Sequence, residues 1–260
     1  MTRFFPSRRD PSHRETGPAR PVIGVVCCNE VADRPIQAVA TRFVDPLVRY
    51  SHATVLLVPA VAGALDARSL APRLDGLLLT GSRSNVAGDR YGRVDAPDDT
   101  LDLDRDAVAF DLAARMIEAG RPVFGICRGL QELNVLFGGT LGNADVGHHR
   151  ETDDVTAYET LFDHVHDVVL QTGGVLETVM AQSSVSVTSV HRQGIDQLGT
   201  GLNVEAIATD DGLIEAFSAR PCGGDVVAVQ WHPEWDVAIS GASRAFFSLI
   251  GRSLRHSMNS

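Results

Sequence analysis

The first half of the chain alternates short apolar, β-branched runs with longer segments of mixed character. The runs fall at Val22–Cys27, Thr54–Val58, Gly76–Leu79 and Pro122–Ile126. Each is short and nearly continuous in its apolar character, as strands buried on both faces require. Between the last two runs, Leu101–Ala119 repeats apolar residues at helical spacing and predicts an amphipathic helix. Gln37–Tyr50 shows the same spacing, with Pro46 expected to kink or end the helix. Strands alternating with helices predict a parallel sheet covered by helices.

After Leu141 the texture changes. Strand candidates follow one another at Val165–Leu170, Val185–Val190, Val204–Thr209, Leu213–Ser218 and Val226–Gln230, joined by turns such as Gly173-Gly174 and Gly223-Gly224. Helix returns at Ala242–Leu254. The expected fold class is α/β, a mostly parallel central sheet flanked by helices, with extra antiparallel strands in the C-terminal half. A chain of 260 residues can bury this as one domain, expected over residues 21–255 behind a disordered tail, 1–20. The tail lacks the apolar core of roughly 7–15 residues that a secretory signal needs. Asp10, Glu15 and three prolines argue against the amphipathic helix of a transit peptide. A cytoplasmic location is the expectation.

Composition narrows the chemistry. Hydrophobic residues make up 44% and charged residues 22%, the balance of an ordinary globular domain. No apolar run approaches the roughly 20 residues of a membrane span, so no membrane partner is expected. All 23 basic residues are Arg. The absence of Lys excludes a Schiff-base site, a P-loop lysine and a Ser-Lys dyad. A formal charge of −10 speaks against nucleic acid as a partner and is compatible with an amine-bearing substrate.

Of the four cysteines, at 27, 28, 127 and 222, none shows C-x-x-C spacing. Cys127 stands out. In Pro122–Gly139 an apolar strand runs directly into Cys127 and then into an amphipathic helix closed by Gly138-Gly139. A strand-to-helix turn presents its side chain at the carboxyl edge of the sheet, and Gly125 and Gly129 relieve the crowding of a sharp elbow. The positive end of the helix and a neighbouring imidazolium would both stabilise a thiolate. On the elbow alone, a buried structural thiol remains open. The second half of the argument is at Val226–Asp236, where a strand ends in His232-Pro233-Glu234. Residues i and i+2 of an extended chain share a side, so Glu234 can hold the ring of His232, a general base with its orienting carboxylate.

Gly125-Ile126-Cys127-Arg128-Gly129-Leu130-Gln131 together with Gln230-Trp231-His232-Pro233-Glu234 resembles the class I glutamine amidotransferase family, whose sheet is flavodoxin-like. Thr80–Val86, Asp211–Ala216 and Trp231–Trp235 are similar to its γ-glutamyl-γ-aminobutyrate and γ-glutamyl-polyamine hydrolase branch, the peptidase C26 type. The resemblance runs from about Pro21 to Leu254. It implies Cys127 as nucleophile, His232 as acid and base, and Glu234 as its partner. It also implies an oxyanion hole from the backbone of Arg128 and of Gly81-Ser82. Gln131 and Ser189-Val190-His191 match positions that hold the glutamyl group. The implied partner is a small-molecule γ-glutamyl amine of polyamine and putrescine breakdown, and no metal or organic cofactor is called for. Thr188 and Arg83 stand where the family has Asn and Pro.

Two other readings accompany this one: a glutaminase subunit serving a separate synthetase, and a non-catalytic sensor of glutamylated metabolites. A homo-oligomer is compatible with the sequence, though no self-association seam stands out. Asp102, Asp104 and Asp106 imitate the start of a calcium loop, but Ala107 replaces its Gly and Ala113 its closing Glu. They are expected to begin a helix instead. His148-His149 is adjacent in sequence, a poor chelating geometry, and is expected in a surface loop.

Overall fold

A computed structural model of the protein describes residues 19–95, 99–143 and 164–258. His148-His149 and most of the N-terminal tail lie outside them. The described chain runs through β1 (Val22–Val26), β2 (Cys28–Val31), β3 (Pro35–Ala38), α1 (Thr41–Arg49), β4 (Thr54–Val58), α2 (Ala67–Leu70), β5 (Gly76–Leu79) and α3 (Leu103–Glu118). There follow β6 (Val123–Ile126), α4 (Arg128–Leu136), β7 (Thr140–Asn143), β8 (Val165–Leu170), α5 (Val175–Met180), β9 (Ser184–Thr188) and β10 (Gln193–Gln197). The last elements are β11 (Asn203–Ala208), β12 (Ile214–Ala219), β13 (Val226–Val229), α6 (Pro233–Asp236) and α7 (Gly241–Met258).

One sheet of nine strands, in the order β4-β1-β5-β6-β13-β12-β11-β8-β9, carries the fold. From β4 to β13 neighbours are parallel; from β13 to β9 they are antiparallel. The burial pattern follows from this difference. Every residue of β5, β6 and β13 is buried, because helices cover both faces of the parallel half. β8 alternates exposed and buried positions, with one face open to solvent. Two apolar clusters occupy the two sides of the sheet. Ile23, Phe124, Val227 and Trp231 pack with Phe246, Phe247 and Ile250 of α7. Leu77, Leu79 and Val123 pack with Leu112 and Met116 of α3 and Leu130 and Leu133 of α4. Fully burying such a side chain contributes roughly 1.5–3 kcal/mol.

The structure departs from the sequence pattern at Gln37–Tyr50. Pro35–Ala38 forms a strand paired antiparallel with Cys28–Val31, and the helix begins only at Thr41. Backbone pairing in this hairpin outweighs the helical periodicity of its side chains. Pro46 does not end α1, which continues to Arg49. In so short a helix its missing N–H forfeits one internal bond, while its carbonyl accepts from Tyr50 N at 2.8 Å and Ser51 N at 3.3 Å. Among the described residues no helix is long and apolar enough to cross a membrane.

The sheet order positions the site. β5, β6 and β13 are consecutive neighbours in parallel register, with Leu79 opposite Gly125 and Ile126 opposite Val229. Their carboxyl ends therefore deliver Thr80-Gly81, Cys127 and Gln230–His232 to one edge, where open α/β sheets bind ligands.

Candidate active site

Cys127 links β6 to α4 in a conformation that L-residues rarely adopt, with φ 52° and ψ −105°. Such a residue costs on the order of 1–3 kcal/mol and persists only where its surroundings enforce it. Here Cys127 N donates to Val229 O at 2.8 Å, and Cys127 O accepts from Leu130 N at 3.0 Å. The glycines on either side make the turn possible by close approach. A Cβ on Gly125 would lie 2.6 Å from the Gly129 carbonyl, and one on Gly129 would lie 2.2 Å from Leu79 O. The Gly-x-Cys-x-Gly pattern is thus a packing requirement of the elbow, and it leaves the sulfur at the N-terminus of α4, where the helix field favours negative charge.

His232 follows β13 and is tied to β9 through its N–H to Thr188 O at 3.3 Å. Its Nδ1 donates to Glu234 Oε1 at 2.7 Å, with both side chains buried. A carboxylate can only accept, so the pair fixes the tautomer and turns Nε2 away from Glu234. Burial opposes charge on His232, but the Glu234 carboxylate, and then Cys127, outweigh it and hold the ring well above its ordinary value of 6.5. The contact forms differently from the sequence expectation of an extended tripeptide. Pro233–Asp236 is a helical turn with Pro233 at its first position, where its fixed φ suits a helix start. His232 is its non-helical cap, and that change of direction brings ring and carboxylate together.

Gly81 closes the third side. A Cβ there would meet His232 Cε1 at 3.1 Å and lie 3.6 Å from Cys127 Cβ, so only glycine leaves the approach open. The Ser82 hydroxyl is 3.0 Å from Ser84 Oγ and accepts from Ser84 N at 3.2 Å, shaping the loop. Arg128 opens α4 directly after Cys127, and its side chain is buried. There it binds Asp106 Oδ1 at 2.6 Å, Ser84 O at 2.9 Å and Asn85 O at 3.1 Å.

The four residues expected to hold the glutamyl group lie beside this constellation with unequal roles. The Val190 carbonyl lies 3.9 Å from Cys127 Sγ. Ser189 is buried and donates its N–H to His164 O at 3.0 Å. The Gln131 amide donates to Gln193 O at 2.7 Å and Gln230 Oε1 at 3.2 Å, so its NH2 is committed to the protein. His191 bonds Gln193 O through Nδ1 at 3.0 Å, and its Nε2 lies 3.4 Å from Glu215 Oε1. Burial pushes His191 down to about 3. Its side chain thus belongs to the wall behind the site.

Sequence reasoning missed several buried polar groups. Glu215 stands between His191 and His166. Its position in Asp211–Ala216 carried a resemblance but no chemistry. Arg105, Asp106 and Glu132 are buried beneath the elbow, although two of them sit in the helix start that imitated a calcium loop. Asp102 caps α3, accepting from Arg105 N at 3.0 Å.

Comparison with known proteins decides the kinship. The sequence profile of the peptidase C26 family matches residues 21–234, a span containing Gly81, Cys127, His232 and Glu234. The chain belongs to the peptidase C26 family. It is 35% identical over 246 residues to the γ-glutamyl-γ-aminobutyrate hydrolases of Escherichia coli K12 and of Shigella sonnei, covering 91% of this chain and 94% of each of theirs. A glutamine amidotransferase structure from Thermotoga maritima superposes with a TM-score of 0.61 at 13% identity, covering 91% of this chain and 99% of that one. At that identity the likeness concerns the fold, and it agrees with the α/β architecture described above. This C26 chain is accordingly a hydrolase of amide bonds.

Proposed function

We propose that the protein hydrolyses the γ-glutamyl amide bond of a γ-glutamylated amine, γ-glutamyl-γ-aminobutyrate or a γ-glutamyl-polyamine, in polyamine and putrescine breakdown, through a thioester on Cys127. The observation that carries this reading is the buried His232–Glu234 pair at 2.7 Å, set against a cysteine held at φ 52° on a strand-to-helix elbow. The kinship with γ-glutamyl-γ-aminobutyrate hydrolases supports the γ-glutamyl side of the bond.

The elevated affinity of His232 for its proton favours an imidazolium beside Cys127. The Cys127 thiolate attacks the γ-carbonyl, a carbon–sulfur bond forms, and the carbonyl π pair moves to oxygen. The Arg128 N–H and the backbone of Gly81-Ser82 receive that oxyanion. On collapse the carbon–nitrogen bond breaks, and the leaving amine takes the proton from His232. Water then attacks the thioester while the neutral ring accepts its proton, releasing glutamate and restoring the ion pair. Glu234 stabilises the imidazolium each time it forms.

Glutamate release is to be measured from glutamine and from the γ-glutamyl conjugates of γ-aminobutyrate, putrescine and spermine. Activity is expected on at least one conjugate above that on glutamine, and Cys127→Ala is expected to abolish it without lowering the melting temperature. Inertness towards every conjugate, or turnover retained in Cys127→Ala, would defeat the reading.

A further inference from the structure

The candidate oxyanion donors come from two different elements, and one fully buried side chain is bonded to both. Arg105 on α3 reaches across the elbow to the end of β5. Its guanidinium donates to Thr80 O, to Thr80 Oγ1 at 3.3 Å and to Cys28 Sγ at 2.9 Å. On its other side it grips Glu132 of α4 with two bonds, Nε to Oε1 at 3.1 Å and Nη2 to Oε2 at 3.3 Å.

The consequence lies in the geometry of the peptide bond. The Thr80 carbonyl and the Gly81 N–H belong to one planar trans unit, in which the two groups point to opposite sides. A donor fixed on the Thr80 oxygen therefore turns the Gly81 N–H to the side away from Arg105. A charged donor on that oxygen also polarises the amide and strengthens its N–H as a donor. Cys28 does the same for the next peptide, donating from Sγ to Gly81 O at 3.4 Å.

The other end of the fork fixes α4. Glu132 also receives the Arg128 guanidinium, so the helix that begins directly after Cys127 is bound to the side chain that holds the Thr80 carbonyl. Asp106 completes the frame, accepting from Arg128 at 2.6 Å and from Ala87 N at 3.0 Å. Arg105, Arg128, Glu132 and Asp106 are all at most 1% exposed. Buried charges are a weak source of stability, since apolar groups of like volume often do as well. What such a frame provides is fixed geometry.

We propose that Arg105, held by Glu132, is a positioning residue for the hydrolysis: it orients and polarises the Thr80–Gly81 peptide so that the Gly81 N–H serves the oxyanion. The inference rests on the reading of Gly81 and Arg128 as oxyanion donors.

Arg105→Gln and Arg105→Lys test it, with kcat and KM measured on γ-glutamyl-γ-aminobutyrate. Three further readouts are the melting temperature, the rate of Cys127 alkylation by iodoacetamide across pH, and inhibition by a glutamyl γ-aldehyde. The Cys127 thiolate adds to the aldehyde carbon, and the carbonyl π pair passes to an oxygen that occupies the oxyanion site. In Arg105→Gln, kcat is expected to fall about 10–100-fold, part of what removing a whole donor costs, with KM within about threefold. The aldehyde should weaken in proportion to kcat/KM while alkylation keeps its rate and pH profile, and Arg105→Lys should recover part of kcat.

A kcat within about twofold of wild type in both variants overturns the proposal, as does a parallel fall of kcat and alkylation, which marks general collapse of the site. If both variants unfold, Glu132→Gln carries the test: it keeps the size of the side chain and removes the charge that holds the Arg105 fork, and an unaltered kcat overturns the proposal. Wild-type protein that releases no glutamate defeats the underlying reading of the site; active wild type with unaffected variants defeats only the role of Arg105.

Discussion

Replacing Glu234 by Gln tests the charge relationship on which the site depends. The substitution keeps the size of the side chain and removes a carboxylate that is 1% exposed and 2.7 Å from His232 Nδ1. Breaking a buried pair of this kind costs about 3–5 kcal/mol, because the remaining charge is left unpaired. The charge at stake is the imidazolium that, in the proposed mechanism, protonates the leaving amine. At about 1.4 kcal/mol per decade, the loss corresponds to a fall in kcat/KM of about two to four decades. The pH dependence supplies a second signature. His232 holds its proton above the ordinary range because Glu234, and then Cys127, overcome burial. Without the carboxylate, burial dominates and the ring loses its proton sooner, so the alkaline limb of kcat/KM moves to lower pH. Linkage gives stability the same sign: a raised His contributes fully below its unfolded value of 6.5 and loses that contribution as pH rises through the folded value. The variant should therefore lose more stability at pH 6 than at pH 9. Glutamate release and urea unfolding at both pH values measure these effects. A kcat/KM within about tenfold of wild type with an unmoved alkaline limb would refute the reasoning.

Two further substitutions probe the scaffold. Gly129→Ala places a Cβ 2.2 Å from Leu79 O, where only backbone movement can make room; overpacking of this kind costs about 1–3 kcal/mol or more, read as a lower urea midpoint at constant m. His191→Gln addresses the acid limit. His191 is depressed to about 3 in the folded protein, so the unfolded chain takes up its proton first, and stability present above 6.5 is lost as pH falls towards 3. From pH 7 to pH 5 the wild type should lose about 2 kcal/mol more than the variant, and equal losses in urea unfolding would contradict the assignment.

The strands that place the site were legible because their burial is complete. Gly76–Leu79, Pro122–Ile126 and Val226–Gln230 are apolar on both faces, and each appears within a residue of the expected boundaries. Gly125, Cys127 and Gly129 were legible for a different reason: a sharp elbow forces backbone to within contact of backbone, and glycine is the residue that permits it. Elements held by pairing alone gave no such signal. β3 carries the exposed residues Pro35, Ile36 and Gln37 and exists because Cys28–Val31 offers it hydrogen bonds. Its side chains happen to continue the helical spacing of α1, which drew the expected helix too far towards the N-terminus. The turn at Pro233 followed the same logic, since one proline fits both an extended tripeptide and the first position of a helix, and only the surrounding packing selects the second.

The charged residues beneath the elbow show how composition conceals function. Arg105 and Asp106 stand at the start of an amphipathic helix, where alternating charges ordinarily face water and negative groups complement the helix dipole. Asp102 follows that rule, capping α3 and accepting from Asn29 Nδ2 at 2.8 Å. Asp106 does not: burial pushes its carboxyl up while the Arg128 guanidinium pulls it back. The separation of these roles comes from α4, which brings Arg128 and Glu132 over the N-terminal turns of α3 and seals that face from solvent. A charge pattern along one helix cannot reveal a partner that arrives 27 residues later in the chain. The pairing became visible only when the sheet order set α3 and α4 on the same face of β5 and β6. The same order brings Gly81 beside Cys127, and hence supplies the frame with a peptide to orient.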